Sequence, residues 1–262
     1  MITQEEIVRD INRLRKERDA VILAHNYQRP EVQEIADFTG DSLLLAQYAA
    51  KTPAKVIIFC GVHFMAETAA ILAPEKIVVL PDKNAGCSLA SMISAESVRN
   101  WRKRNPDGVV VCYVNSSAEV KAEVDYCCTS TNAVKVINAV PKGKKILFIP
   151  DAYLGLYLKK ISGRDIEIWP GYCHAHHKIR YEDVCKKKEE HPNAEFVMHP
   201  ECGCLTHCMP IADKVLSTEG IIRYCKSSAS REFIIGTEVG ILHRLQKENP
   251  EKSFYPVTEE SY

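Results

Sequence analysis

Two cysteines occupy matching loops, and their thiols are the side chains of this sequence best placed for metal chemistry. Cys87 follows Pro81 in a loop that contains a glycine, and Cys173 follows Pro170 in a similar loop. The two loops lie roughly 85 residues apart, which is also the period of the repeat described below. Cysteines that only fill space are commonest as small buried hydrophobic residues. The positions of these two therefore predict thiols that bind a metal ion or an iron–sulfur cluster.

The total of 11 cysteines supports this interpretation. An odd number cannot pair completely within one chain, and about 4% cysteine is below the density of a disulfide-stapled domain. Thiols in such numbers indicate metal, cluster or redox chemistry. Three further cysteines and one histidine lie close together in the sequence and resemble a small zinc site. A flexible loop insertion or a redox-labile thiol pair would show the same spacing. The residues of this dense group are Cys202, Cys204, His207 and Cys208.

Three histidines flank Cys173 and leave two interpretations open. They are His174, His176 and His177. Imidazoles beside a thiolate could bind the same metal or orient its ligands. Histidines exposed on the surface would give the same pattern.

Polar side chains also follow the ends of the predicted buried strands. In open parallel sheets, ligands bind outside the carboxyl ends of the strands. Three such sheets around one pseudo-threefold axis would direct their strand ends to a shared cavity. The set consists mainly of neutral donors with two imidazoles and one carboxylate, which suits a small substrate with several negative charges. Its members are His25, Tyr27, Ser42, Tyr113, Asn115, Ser130, His199, Glu201, Ser217 and Thr218.

Helical and strand patterns alternate along the chain and define the elements that would hold these residues. Short β-branched apolar runs between helices indicate parallel sheets with helices on both faces. Three strands recur in the same order with one period, and the last of each set ends near Pro81, Pro170 or Pro256. We therefore predict an α/β protein of three pseudo-symmetric αβα three-layer domains, with small parallel sheets around a central site. The predicted domains are residues 1–83, 84–170 and 171–262.

Local signals place the first helices and strands. Thr3 and Glu6 form a predicted capping box at the start of the first helix. A buried strand covers residues 20–24 and leads into His25. Pro30 suits the first turn of a short helix, which we expect to continue through Phe38.

Composition argues against several classes of protein. The 262 residues include 34 basic and 34 acidic ones, and the sequence pI is about 7.1. This balance argues against binding to nucleic acid through backbone charge. No apolar run approaches the roughly 18 residues of a membrane helix, and the first residues have no signal-peptide pattern. We therefore expect a cytoplasmic protein with no nucleic-acid or membrane partner.

Six motifs occur in a fixed order along nearly the whole chain. They are Ala24-His25-Asn26-Tyr27-Gln28, Gly40-Asp41-Ser42, Phe64-Met65-Ala66-Glu67-Thr68, Tyr113-Val114-Asn115-Ser116, Thr129-Ser130-Thr131-Asn132-Ala133 and His199-Pro200-Glu201-Cys202. Together they resemble quinolinate synthase, the A protein of NAD biosynthesis. The resemblance implies three α/β domains around a [4Fe-4S] cluster. It also implies condensation of iminoaspartate with dihydroxyacetone phosphate to quinolinate, with loss of phosphate and water.

The resemblance also assigns the cluster ligands. Cys87 and Cys173 match two of the three cluster cysteines of the family. The third belongs to a Cys-x-x-Met-Lys segment that follows a Phe-Tyr-Pro strand, which corresponds here to residues 254–256. The sequence given ends at Tyr262, where that cysteine would be the next residue, and we expect the gene product to continue with cysteine at position 263. The stretch 203–209 is about two residues longer than the family pattern, and the resemblance gives it no role.

Residue roles follow from the same resemblance. Tyr27, Tyr113, His199 and Glu201 are expected to be catalytic, with Tyr27 and Glu201 the candidates for proton transfer. Three thiolates leave one iron of a cubane with an open position, which can act as a Lewis acid in dehydration. An aspartate oxidase or dehydrogenase is expected to supply iminoaspartate, and the enzyme is expected to be a monomer or homodimer. Substrate carboxylates and phosphate are expected to bind His25, Ser42, Tyr113, Asn115, Ser130, His199, Glu201, Ser217 and Thr218.

Two alternatives share part of this pattern. One is a different hydro-lyase that uses a [4Fe-4S] cluster held by three cysteines. The other is a non-enzymatic zinc-binding or thiol-regulated module built on the dense group between Cys202 and Cys208. Analysis of iron and sulfide would separate the cluster from zinc, and formation of quinolinate would separate the two enzymes.

Overall fold

The structure, a computed structural model, describes residues 3–262 and has the predicted α/β architecture. Three sheets of four parallel strands are flanked by helices. The chain divides into two compact units, one ending at Gly86 and the other running from Cys87 to Tyr262. The first unit contains one sheet and the second contains two. Within residues 3–262, no helix is both long enough and apolar enough to cross a membrane.

The first unit contains a sheet with the strand order β2-β1-β3-β4. Each crossover between strands carries a helix, as parallel strands require. The elements are α1 (Gln4–Glu17), β1 (Ala20–His25), α2 (Pro30–Ile35), β2 (Phe38–Gly40), α3 (Ser42–Lys51), β3 (Val56–Cys60), α4 (His63–Leu72) and β4 (Ile77–Val79).

The second unit begins with a sheet of the equivalent order, β6-β5-β7-β8. A short 3-10 turn at Ala90–Met92 precedes its first helix. The elements are α5 (Ala95–Arg104), β5 (Val109–Tyr113), α6 (Ala118–Lys121), β6 (Tyr126–Cys128), α7 (Ala133–Ala139), β7 (Ile146–Ile149), α8 (Ala152–Ser162) and β8 (Ile166–Ile168).

The last sheet repeats this order as β10-β9-β11-β12. One sheet thus falls within each predicted repeat, while the exact domain boundaries stay a prediction. The elements are α9 (His174–His177), α10 (Tyr181–Glu190), β9 (Glu195–Met198), α11 (Leu205–Cys208), β10 (Lys214–Val215), α12 (Thr218–Ser227), β11 (Glu232–Gly236), α13 (Ile241–Glu248) and β12 (Ser253–Pro256).

Central strands with both faces covered hold these sheets together. All four residues of β7 are buried, and so are the last three residues of β9. Phe148, Phe196 and Phe233 on the central strands are almost fully buried. Burying a side chain of this size contributes roughly 1.5–3 kcal/mol. This packing fixes the strand ends from which the polar side chains emerge.

Side chains cap the first turns of two helices in the first unit, and one of these caps was predicted. The capping box of Thr3 and Glu6 is present, with the Thr3 amide donating to Glu6 Oε2 at 2.8 Å. Asp41 caps α3 by accepting from the Leu44 amide at 2.9 Å, and the helix begins at Ser42. A side-chain cap of this kind stabilises a helix by about 1 kcal/mol.

The helix predicted from Pro30 through Phe38 is too long. It ends at Ile35, and Phe38–Gly40 forms the edge strand β2 instead. The equivalent edge strands β6 and β10 were also not predicted from the sequence. Strands of two or three residues are too short to show a period of two, and only pairing with a neighbouring strand reveals them.

Gly171, two residues before Cys173, lies where a side chain does not fit. A Cβ atom at this position would collide with the backbone carbonyl oxygen of Pro150, which cannot rotate away. The Gly171 carbonyl also accepts from the Ala152 amide at 2.7 Å, which holds the loop in place. The loop of Cys173 therefore depends on glycine at this position.

We expect Gly171→Ala to lower the free energy of unfolding by about 1–3 kcal/mol, because the overpacked loop must shift. Urea unfolding measures the change. Gly86→Ala is the matched control in the loop of Cys87, where the nearest atom to a new Cβ lies 3.7 Å away. Equal losses in the two variants would contradict a role for the close contact at Gly171.

Candidate active site

The loop after β9 brings His199 and Glu201 together in the second unit. Both side chains are buried. The Glu201 amide donates to His199 Nδ1 at 3.4 Å, so a neutral imidazole carries its proton on Nε2. This Nε2 lies 3.1 Å from Ser130 Oγ, in the loop that follows β6. The ends of two sheets within the second unit therefore meet at His199.

The first unit repeats this arrangement at His25. The Tyr27 amide donates to His25 Nδ1 at 3.2 Å, as the Glu201 amide does to His199. The rings of His25 and Tyr27 make an edge contact with their centroids 4.6 Å apart. Burial lowers the pKa of His25 to about 4, so the imidazole is neutral at pH 7. Both histidines are thus oriented to donate from Nε2.

A hydroxyl residue follows the edge strand of each sheet by two positions. His25 pairs in register with Gly40, and Ser42 begins the next helix. Tyr113 pairs with Cys128, which precedes Ser130 by two residues. The corresponding serine of the third sheet follows β10 in the same way; it is Ser217. The edge strands that the sequence analysis missed are the elements that position these serines.

Glu201 is the carboxyl group at the centre of the second unit's site. Burial raises its pKa well above the ordinary value, and the negative charge of Asp151 acts in the same direction. A hydrogen bond with Tyr113 opposes this shift. Glu201 Oε2 lies 3.4 Å from His199 Nδ1 and 3.5 Å from His176 Nδ1. The carboxyl group therefore holds its proton beside two imidazoles and a phenol.

His176 connects this carboxyl group to a thiol. Its Nδ1 lies 3.1 Å from Cys173 Sγ, and its Nε2 lies 2.8 Å from Thr237 Oγ1 at the end of β11. Of the three histidines that flank Cys173, it is the one in the site. His174 contacts Ser88, and His177 contacts Tyr153.

Two imidazoles and one carboxyl group in this site form a group that could together hold a metal ion. Its donor atoms lie within 4.8 Å of one another and are all buried. It is the only group of three or more such donors found in the described part of the chain, and it comprises His176, His199 and Glu201.

The two loop cysteines lie beside this group. Cys87 and Cys173 are free thiols, half-buried against the same apolar cluster around β5 and β7. Ser88 Oγ and His174 Nδ1 lie 2.9 Å apart and join the two loops. Burial is the main cause that raises the pKa of both thiols. Such thiols become good ligands only when a bound cation replaces their protons.

Asp151 is a buried acid that the sequence analysis did not identify. It follows β7, and its Oδ1 caps α8 by accepting from the Leu154 amide at 2.6 Å. Within residues 3–262, no group hydrogen-bonds its other oxygen, Oδ2. Burial raises the pKa of Asp151 to about 7. Its position at a strand end, directly after Pro150, was the signal that could have indicated it.

The remaining predicted residues have different surroundings. The Thr131 hydroxyl donates to Ser217 Oγ at 2.9 Å, and Ser217 also caps α12 by accepting from the Gly220 amide. Thr218 is buried as the first residue of that helix. Asn115 Oδ1 is buried, and no group within residues 3–262 hydrogen-bonds it. Within the second unit, the structure thus brings Tyr113, Ser130, His199 and Glu201 together directly.

The dense group between Cys202 and Cys208 does not form a zinc site within the described residues. Its three cysteines are buried in an apolar cluster with Phe196 and Ile234, while His207 is exposed. Cys202 Sγ donates to the carbonyl of Gly236 at 2.9 Å. These three cysteines therefore pack in the apolar core around β9 and β11.

Comparison with known proteins identifies the family. A sequence model of one protein family, described as Quinolinate synthetase A protein, matches residues 9–262 of this chain. The chain belongs to the quinolinate synthase family. The quinolinate synthase of Thermus thermophilus is 56% identical over 255 residues, which cover 97% of this chain and 82% of the relative. That of Pyrobaculum aerophilum is 54% identical over 258 residues, 96% of this chain and 84% of the relative.

Membership in the quinolinate synthase family confirms the resemblance and makes the chain an enzyme of NAD biosynthesis. The family also includes a relative from Methanosarcina barkeri, which is 51% identical over 256 residues and 98% of this chain. The half-buried thiols and the group around Glu201 are consistent with a metal cofactor in this family.

Proposed function

We propose that this chain condenses iminoaspartate with dihydroxyacetone phosphate to give quinolinate, with loss of phosphate and water. The observation that carries the proposal is the buried group around Glu201. It combines a protonated carboxyl group with two imidazoles and Tyr113, directly beside the thiol of Cys173. Ring formation with dehydration needs several proton transfers, and such a group can supply them.

Neutral donors provide the binding sites for the anionic substrates. His25 and His199 each present Nε2–H, and Ser130 and Asn115 add polar groups at the strand ends. The 10-residue helices α3 and α12 begin at Ser42 and Thr218, and the N-terminus of a helix favours negative charge. We assign substrate carboxylates and phosphate to these positions.

Cys87 and Cys173 fit the ligand set of a [4Fe-4S] cluster. They are free thiols from joined loops, and burial keeps them protonated until a cation binds. A cluster held by three cysteines takes one further thiolate in addition to these two. When bound, the cluster would supply an iron with an open position that acts as a Lewis acid.

Glu201 and Tyr113 are the proton-transfer groups that we assign in the second unit. The raised pKa keeps a proton on Glu201 for donation to a leaving hydroxyl group. The hydrogen bond from Tyr113 orients the carboxyl group, and His199 Nδ1 lies 3.4 Å from Glu201 Oε2. Tyr27, beside His25 in the first unit, is the candidate for the earlier isomerisation.

Anaerobic incubation with iminoaspartate and dihydroxyacetone phosphate tests the proposal. An aspartate oxidase or dehydrogenase would supply the unstable iminoaspartate. We expect quinolinate and inorganic phosphate to form in equal amounts. A protein with full iron and sulfide content that forms no quinolinate would instead support the alternative of another cluster-dependent hydro-lyase.

A further inference from the structure

Cys112 and Cys127 form a pair of thiols that the proposed reaction does not use. They are register partners on the neighbouring parallel strands β5 and β6. Partners in register extend to the same face of a sheet, so the two thiols belong to one face of this sheet. Both are free thiols, but Cys112 is fully buried whereas Cys127 is exposed on the edge strand.

The surroundings of Cys127 favour the thiolate form. The neighbouring Cys112 thiol and the positive charge of Lys121 together outweigh burial and lower the pKa of Cys127 to about 7. Burial alone has the opposite effect at Cys60, where it raises the pKa to about 11. The adjacent Cys128 is buried, and this burial is the main cause that raises the pKa of its thiol. Of these thiols, Cys127 alone is both exposed and ionised near neutral pH.

We propose that Cys112 and Cys127 form a redox-active dithiol that reacts with low-molecular-weight disulfides. The thiolate of exposed Cys127 attacks one sulfur of the disulfide and releases the other half as a thiolate, leaving a mixed disulfide. The sulfur of buried Cys112 then attacks the Cys127 sulfur, and the thiol proton of Cys112 passes to the displaced second half, which leaves as a thiol. The two cysteines are oxidised to one disulfide, and the small disulfide is reduced to two thiols.

The strand geometry permits the cross-link. Neighbouring strands lie about 4.8 Å apart, within the range of roughly 4.4–6.8 Å that Cα atoms span across a disulfide. The sulfur of Cys112 is already held in place, 2.9 Å from Ser116 Oγ. The cross-link would join β5 and β6 one residue before Tyr113 and Cys128, which lead into the loops of the proposed site.

Anaerobic treatment with oxidised glutathione tests this proposal on the folded protein with its cofactor intact. After the remaining thiols are alkylated, peptide mass mapping is expected to show a Cys112–Cys127 cross-linked peptide. In Cys112→Ser the glutathione adduct on Cys127 is expected to persist, because the thiol that displaces it is missing. In Cys127→Ser, buried Cys112 is expected to remain a free thiol.

The order of reactivity provides a second measurement. Alkylation of Cys127 by iodoacetamide is expected to rise with pH around a midpoint near 7. At pH 7 it is expected to be roughly ten-fold or more faster than that of Cys60, even though nucleophilicity falls with pKa. The exposed variant Cys127→Ser should fold normally. Equal alkylation rates at Cys60 and Cys127, or a cross-link from Cys127 to any cysteine other than Cys112, would overturn the proposal.

Discussion

Replacing Glu201 by Gln is expected to abolish quinolinate formation without removing iron from the protein. The amide keeps nearly the same volume and can still accept a hydrogen bond, but it cannot give up a proton as a carboxylic acid does. Loss of a general acid typically lowers turnover by about 10²–10⁴-fold. Because Glu201 Oε2 contacts His176 and His199, we measure both turnover and iron content.

The control for this variant is Glu195→Gln, on the strand that leads into the loop of Glu201. Glu195 lies at the opposite end of β9, where its Oε2 accepts from the Tyr224 hydroxyl at 2.8 Å. We expect nearly unchanged turnover and iron content in this control. Normal turnover in Glu201→Gln would remove Glu201 from the chemistry, whereas a loss of iron would indicate that Glu201 acts by supporting the cofactor.

The buried strands could be predicted from the sequence because their signal is local. Runs such as Ile146–Ile149 are continuously apolar, and the repeat places them in the same order three times. The edge strands lack such a signal. Lys214–Val215, for example, forms a strand only because β9 lies beside it. Ser217 was nevertheless found, since its spacing from His199 is close to that of Ser42 from His25.

The contacts within the site were harder to predict, since they join residues far apart in sequence. His176 could not be separated from His174 and His177 until β11 placed Thr237 against its Nε2. Asp151 and Cys127 show the same limit. Their shifted pKa values depend on burial or exposure and on neighbouring residues. Residue type alone gives neither the degree of burial nor these neighbours.

Replacing Cys173 by Ser is expected to remove most of the iron and sulfide from the protein. Serine has nearly the same shape, but its hydroxyl group does not replace a thiolate as a ligand of an iron–sulfur cluster. Cys173 is also the thiol that contacts His176. Replacing it therefore removes the contact between this cluster ligand and the group around Glu201. Elemental analysis and visible absorbance measure cluster content, and circular dichroism measures whether the variant is folded.

Cys185→Ser is the matched control, because Cys185 is a half-buried thiol on α10 with no contact in the site. It is expected to keep its iron. Full iron content in Cys173→Ser would contradict the assignment of Cys173 as a ligand. Both Cys173→Ser and Glu201→Gln are expected to lack turnover, but only the cysteine variant should lose iron. The pair of variants therefore separates binding of the cofactor from proton transfer, which wild-type turnover alone cannot do.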